Sequence, residues 1–223
     1  MPHDKPRRGV SGTFAFVREA CHGPVMDTLD AVRTRVRHDL GDTDPANYRW
    51  SDAALDHHIE RALTELSLAM PRELTATLPT TPGSRELSLA SLPGLIEVEA
   101  VEYPVDRFPP EYVGFAAWAN SLLLHTPKEP DGSPARVYYT ARHTLDANGT
   151  SLTAEQADLV AMGAGAYAAL EQSVSSADRL ATDDRVSDRY ASWGRARQTA
   201  FRQLLYHYGR RSRVRPRRLY RPA

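Results

Sequence analysis

One cysteine, Cys21, stands among 223 residues. That excludes an internal disulfide framework and fits a reducing compartment, or an assembly that needs no covalent staples. No run of about 18 apolar residues occurs, so nothing in the sequence is written to span a membrane. Lys5, Arg7 and Arg8 are not followed by an apolar block of signal-peptide length, and secretion by that route is not expected. Carboxylates are missing from the end of the chain. The last acid is Asp188, and from Arg189 onward there are eleven arginines. The whole chain balances at 28 basic and 28 acidic residues, so the first 188 residues carry the other 17 basic groups against all 28 acids. A chain that looks neutral is thus an acidic body followed by a cationic end, an asymmetry that points to a contact made by that end.

What is present reads as a folded α+β protein. With 41% hydrophobic and 25% charged residues, the chain has an ordinary globular composition and enough length for a substantial core. Residues 1–23 show no sustained period and read as a mobile arm, with Phe14, Phe16 and Val17 as a short apolar anchor. Residues 24–71 read as a helical hairpin. In its first helix Met26, Leu29, Val32, Val36 and Leu40 form one stripe, Pro24 suits the first turn and Gly41 a left-handed stop. Arg33, Arg35 and Arg37 lie mostly off that stripe, which reads as a solvated face. The second helix is better punctuated. Ser51 is a natural N-cap followed by Asp52, and Trp50 and Leu55 have the spacing of a hydrophobic staple. Ile59, Leu63, Leu66 and Met70 continue its stripe until Pro71 ends it.

Residues 72–150 change period. Val137, Tyr139 and Ala141 alternate with Arg136, Tyr138 and Arg142, while Ile96 and Val98 alternate with Glu97 and Glu99. Residues 113–118 and 121–125 form a hairpin turning at Ala119-Asn120. Proline and glycine breaks separate four or five short antiparallel strands, a small sandwich or open barrel inserted between helices. Two long helices then complete a bundle of about four over residues 151–209. Thr153 and Gln156 have capping-box spacing. The first of the two is rich in alanine and glycine, and Gly163 and Gly165 within it require a closely packed neighbour, because glycine costs a helix about 1 kcal/mol relative to alanine. It is expected to be the central helix. The second, near residues 181–208, carries Val186, Tyr190, Trp193, Arg197, Phe201, Leu204 and Tyr208, with Gly209 as its stop. The expected bundle core comprises Trp50, Leu55, Ile59, Leu63, Leu66, Leu159, Tyr167, Trp193 and Phe201.

Catalytic chemistry is not legible. His57 and His58 are adjacent on a helix and point about 100° apart, so they cannot share a metal ion. Gly163-x-Gly165 lies inside a helix rather than after a strand, and there is no phosphate-binding loop. Glu97, Glu99, Glu102 and Asp106 resemble paired carboxylates, but no histidine or arginine is placed in sequence to tune them. Ser11, Ser51 and Ser67 have no nucleophile context. Asn148-Gly149-Thr150 reads as a turn before the Thr153 cap. No enzyme, metal or cofactor is expected.

The remaining candidate site is the end of the chain, residues 210–223. Arg210, Arg211, Arg213, Arg215, Arg217, Arg218 and Arg221 are interrupted by Val214, Leu219 and Tyr220. Arginine suits bidentate contact with carboxylate or phosphate, and the three apolar residues would anchor a docked peptide. A merely solubilising tail and a DNA-binding tail stay open beside that reading.

Two segments carry a family resemblance. Tyr48-Arg49-Trp50-Ser51-Asp52, running on through Leu55 and Ile59 to Leu63, resembles the second helix of head-to-tail adaptor (connector) proteins of long-tailed bacteriophages and related gene transfer agents. The small-residue helix from Asp158 to Tyr167 is similar to the third helix of the same bundle. Together the helical parts cover about half of the chain; the strand insert departs from the minimal all-helical form. The resemblance implies a virion protein at the portal vertex, assembled in the host cytoplasm. It implies a ring of neighbouring copies, usually twelve, that lies under the portal protein and extends the channel for genomic DNA. A tail-completion or stopper protein would meet its other side, and the C-terminal segment would reach the portal. The alternatives are a cytoplasmic helical DNA-binding protein using the arginine-rich end, or a stopper itself.

Overall fold

The computed structural model describes residues 27–177 and 184–212. Its element order is four helices around an inserted run of six strands, which makes the chain α+β. α1, Leu29–Leu40, starts after Thr28, whose hydroxyl accepts from the Ala31 amide. That cap lies four residues beyond Pro24, so the helix is shorter than its stripe suggested. Its other end is as expected: Gly41 sits at φ +66°, in the left-handed region; its amide donates to the Arg37 and His38 carbonyls, and the Asp42 amide also donates to Arg37. α2, Asp52–Ala69, has Ser51 as N-cap with its hydroxyl on the Ala54 amide at 3.2 Å. Met70 closes it before Pro71.

The strands are β1 (Arg72–Leu78), β2 (Glu86–Ser88), β3 (Leu95–Glu102), β4 (Tyr112–Trp118), β5 (Ser121–His125) and β6 (Ala135–Ala141). Six strands replace the four or five expected; the short β2 and the β1 that follows directly on α2 are the additions. All pair antiparallel in one curled sheet of order β1-β6-β3-β4-β5-β2. Two register shifts in β3 against β6, and a β3–β4 join of only two residue pairs, let the sheet bend around its own core. Leu87, Val101, Leu122, Leu124 and Val137 fill that core. The β4–β5 hairpin turns at Ala119-Asn120 as read from sequence. Ala119 adopts φ +50°, the positive value a two-residue loop requires at its first position.

α3, Ala154–Ala177, begins with a reciprocal capping box between Thr153 and Gln156. α4, Asp184–Ser212, lies against it. α3 is central, packing on each of the other three helices. A Cβ at Gly163 would come within 2.9 Å of the Phe201 ring and 3.0 Å of Ala62, so this glycine is where α3, α4 and α2 close on one another. Gly165 meets only Trp193, at 3.7 Å, and is not required in the same way.

Gly209 does not end α4. The helix runs through it, and a Cβ there would lie 2.7 Å from the Ala69 carbonyl oxygen; the residue serves close approach rather than termination. Of the expected bundle core, Trp50, Leu55, Ile59, Leu66, Leu159, Tyr167 and Phe201 are buried in one cluster, and Leu63 is half-buried against it. Trp193 is not in that cluster. Arg197 covers its ring at 4.9 Å, and it stays half-buried at the bundle surface.

The sheet and the bundle keep separate cores and meet at a polar junction. His143, just after β6, donates its backbone amide to Ser67 Oγ (3.1 Å), touches the Met70 carbonyl through Nε2 (3.0 Å) and Ser151 Oγ through Nδ1 (3.1 Å). A carbonyl only accepts, so Nε2 carries the proton and Nδ1 accepts from the serine.

Candidate functional site

The arginine-rich end is carried by α4, and its exit is well placed. Phe201 and Ala62 both close on Gly163, while Gly209 closes on Ala69. α4 therefore runs in the same direction as α2 and leaves the bundle beside the point where α2 passes into β1. The helix continues through residues 210–212, so Arg210 and Arg211 extend it. Arg213, Val214, Arg215, Arg217, Arg218, Leu219, Tyr220 and Arg221 lie outside the described residues, as does the N-terminal arm. Earlier on α4, Arg189, Arg195 and Arg202 are exposed, and Arg197 pairs with Asp39 of α1.

The arginines of α1 are not a solvated face. Arg33 holds Asp56 through two nitrogens, each at 2.9 Å, and also Asp30. Arg35 reaches Asp27 at 2.6 Å and Asp158 of α3 at 3.0 Å. Arg37 is buried. Its guanidinium binds Asp42 (2.6 Å), the Trp50 carbonyl (3.0 Å) and Asp52 (2.7 Å), and stacks 3.6 Å from the centre of the Tyr48 ring. Asp42 in turn accepts the Arg49 amide at 2.8 Å. This network folds the α1–α2 connection onto the bundle, and no helical period announces it.

The carboxylates of β3 also have an arginine. Register sets Glu102 opposite Arg136, and the buried Glu102 accepts from Arg136 (3.1 Å) and from the Tyr138 hydroxyl (3.0 Å). Arg136 spans to Asp106 at 2.9 Å. Burial, then the Glu102 contact, raises the Tyr138 hydroxyl above its ordinary value, and the bond to Asp106 raises Arg136. Close by, Asp131 is pushed down to about 2 by hydrogen bonds from Ser133 and from the Tyr103 hydroxyl. Through Arg136 and Asp106, and through Tyr103 and Asp131, these bonds tie the 103–111 loop to the sheet and to the turn before β6.

His58 was given no role by the sequence. It is buried on α2, with Nε2 2.6 Å from Glu171 of α3. Its Nδ1 has no partner among the described residues. Desolvation lowers its pKa despite Glu171, with His57 and Arg61 adding to the decrease, and desolvation likewise lowers that of His143, near Arg72. Both rings are thus held neutral in the folded chain, while the unfolded chain binds protons from about pH 6.5 downward. Stability is full above that value and is lost as pH falls through the folded-state values. Urea midpoints should therefore decline from pH 7.5 toward pH 5.5, and replacing both histidines by glutamine should flatten the decline. An unchanged slope in that variant would remove the two histidines as its cause.

Partner-accessible surface lies in three places. A cavity of about 370 Å³ between α1 and α4 is lined by Asp39, Leu40, Arg49, Val186, Tyr190 and Trp193. Trp118, at the β4–β5 tip, is 85% exposed beside Ala116 and Leu123, and Phe108 in the preceding loop is 98% exposed. The third is the end of the sheet at β1, which pairs only with β6 among the described residues. Sequence reasoning named none of the three, because partner-facing and core-facing apolar residues alternate with the same period in a strand.

No family model and no curated protein matches the chain.

Proposed function

We propose that the chain is a structural virion protein, a head-to-tail adaptor. In this reading copies of it form a ring beneath the portal, extend the DNA channel and present a seat for the next tail component. Residues 210–223 dock on the portal. The observation that carries the reading is the placement of the two segments behind the resemblance. The helix from Ser51 to Leu63 and the helix from Asp158 to Tyr167 lie side by side in one bundle, closed at Ala62 and Gly163. The charge split supports it: the first 188 residues are acidic in balance, and α4 runs on through Arg210 and Arg211 into the arginine-rich end of the sequence. One exposed arginine–carboxylate pair contributes only about 0.2–1 kcal/mol. A ring of linked tails multiplies such contacts through effective concentration. A channel lined by all those arginines would instead hold the DNA it must pass, since each phosphate contact releases close to one counterion.

Deleting residues 210–223 should leave a folded protein that no longer joins portal-bearing capsids, read by sedimentation of the mixture. Normal attachment of the truncated chain would sink the reading. Affinity of the full chain for free duplex that falls steeply between two salt concentrations would move it to the DNA-binding class.

A further inference from the structure

Trp118 stands at the tip of the β4–β5 hairpin with 85% of its surface exposed. Register puts it on the sheet face that also carries Ala116, Ser121, Leu123 and Glu86, while Leu122 and Leu124 fill the core on the other face. The ring adds nothing to its own core, and a large rigid aromatic beside a half-exposed leucine is the kind of residue that anchors an interface. We infer that Trp118 docks into the α1–α4 cavity of a second copy of this chain, with Glu86 set toward Arg189 at the rim. The contact is a property of the chain without any portal; only its closure into a ring rests on the adaptor reading.

Three observations choose this partner. The first is the lining of the cavity. Leu40, Val186, Tyr190 and Trp193 give it an apolar and aromatic wall, and Val186, Tyr190 and Trp193 are not buried by their own subunit. Its volume of about 370 Å³ is at the small end of the range for ligand clefts, about 300–1,000 Å³, and suits one ring rather than an extended ligand. The second is charge. Residues 72–150 hold ten acids against six bases, whereas α4 holds seven bases against two acids. Ser121, opposite Trp118, donates to Glu86 at 2.6 Å, which sets a carboxylate beside the knob. In the cavity Arg197 holds Asp39 and Arg49 donates to Tyr190, so the exposed Arg189 is the cation presented at the rim.

The third is separation. The cavity lies where Arg49 leads into α2, whereas the sheet joins the other end of that helix, at Ser67 and Met70, through His143. The 18 residues between make about 27 Å at 1.5 Å each. Knob and cavity are different surfaces of one molecule, so their contact repeats head to tail, and it closes into a ring when the rotation between copies permits. One aromatic anchor and one rim pair hold two free copies weakly, while an assembly of many copies multiplies the same contact.

Sedimentation velocity of the purified full chain over about 10–500 μM tests this. The wild type should gain mass with concentration. Trp118→Ala should associate at least about tenfold more weakly with an unchanged urea midpoint, because the ring is exposed. Glu86→Arg and Arg189→Glu should each weaken association about two- to fivefold, and the double variant should recover most of the loss. A wild type that stays monomeric at every concentration overturns the inference. So does Trp118→Ala that associates like wild type, or a double variant no better than either single. Disulfide trapping fixes which surfaces meet, with Cys21→Ser throughout. An Asn120→Cys copy should cross-link to a Val186→Cys copy and not to another of its own kind. Self-linking of Asn120→Cys would set hairpin against hairpin and overturn the proposal. A chain that associates this way yet never joins portal-bearing capsids would leave the contact standing and remove the adaptor reading; a monomeric chain that joins them does the reverse.

Discussion

Arg37→Ala should lose about 3–5 kcal/mol of folding stability at neutral pH, measured by urea unfolding, because it leaves a buried carboxylate without its cation. The Arg37 side chain is 7% exposed and Asp42 3%, so water cannot take the place of the missing partner. The Trp50 carbonyl loses its donor as well, and Tyr48 loses the cation above its ring. Asp52→Asn, at the same guanidinium, is the informative contrast. That carboxylate is 62% exposed, and the change should stay within about 1 kcal/mol. Set against a total of about 5–15 kcal/mol for a domain, the first change is severe and the second minor. An Arg37→Ala protein within 1 kcal/mol of wild type would mean that the α1–α2 connection is not held by this network.

The two glycines of α3 should respond with opposite signs. Gly163→Ala sets a methyl 2.9 Å from two carbons of the fully buried Phe201 ring and 3.0 Å from Ala62, neither of which has room to retreat. Overpacking costs about 1–3 kcal/mol and outweighs the gain in helix propensity of up to about 1 kcal/mol, leaving a net loss near 1–2 kcal/mol. Gly165→Ala meets one atom of Trp193 at an ordinary 3.7 Å, so only the propensity gain remains. It should be neutral or stabilising by up to about 1 kcal/mol. Urea midpoints of the two variants on either side of wild type would establish Gly163 as the closure point of three helices; midpoints moving together would refute it.

The helix boundaries that proved legible share a short range. Ser51 to Ala54, Thr153 to Gln156 and Gly41 to Arg37 are hydrogen bonds between residues three or four apart, so the residues that make the cap also spell it. Gly209 shows where that legibility stops. A glycine after an apolar stripe signals either a left-handed stop or a close neighbour, and only the Ala69 carbonyl decides between them. Likewise Trp193 continues the stripe of α4, yet the helix turns it out of the core and under Arg197.

The sequence by itself determined the α+β class, the caps, the β4–β5 hairpin, most of the bundle core and the separation of charge along the chain. Each follows from local hydrogen bonds, from a period of 3.6 or 2, or from composition. Only the tertiary structure decided that β1 pairs with β6, across more than fifty residues, and that α1's arginines are engaged rather than solvated. It also decided that Glu102 faces Arg136 and that α4 passes beside the point where α2 gives way to β1. Those are contacts between residues far apart in the chain, and a side chain's own type and spacing say nothing of which distant partner the fold will bring to it.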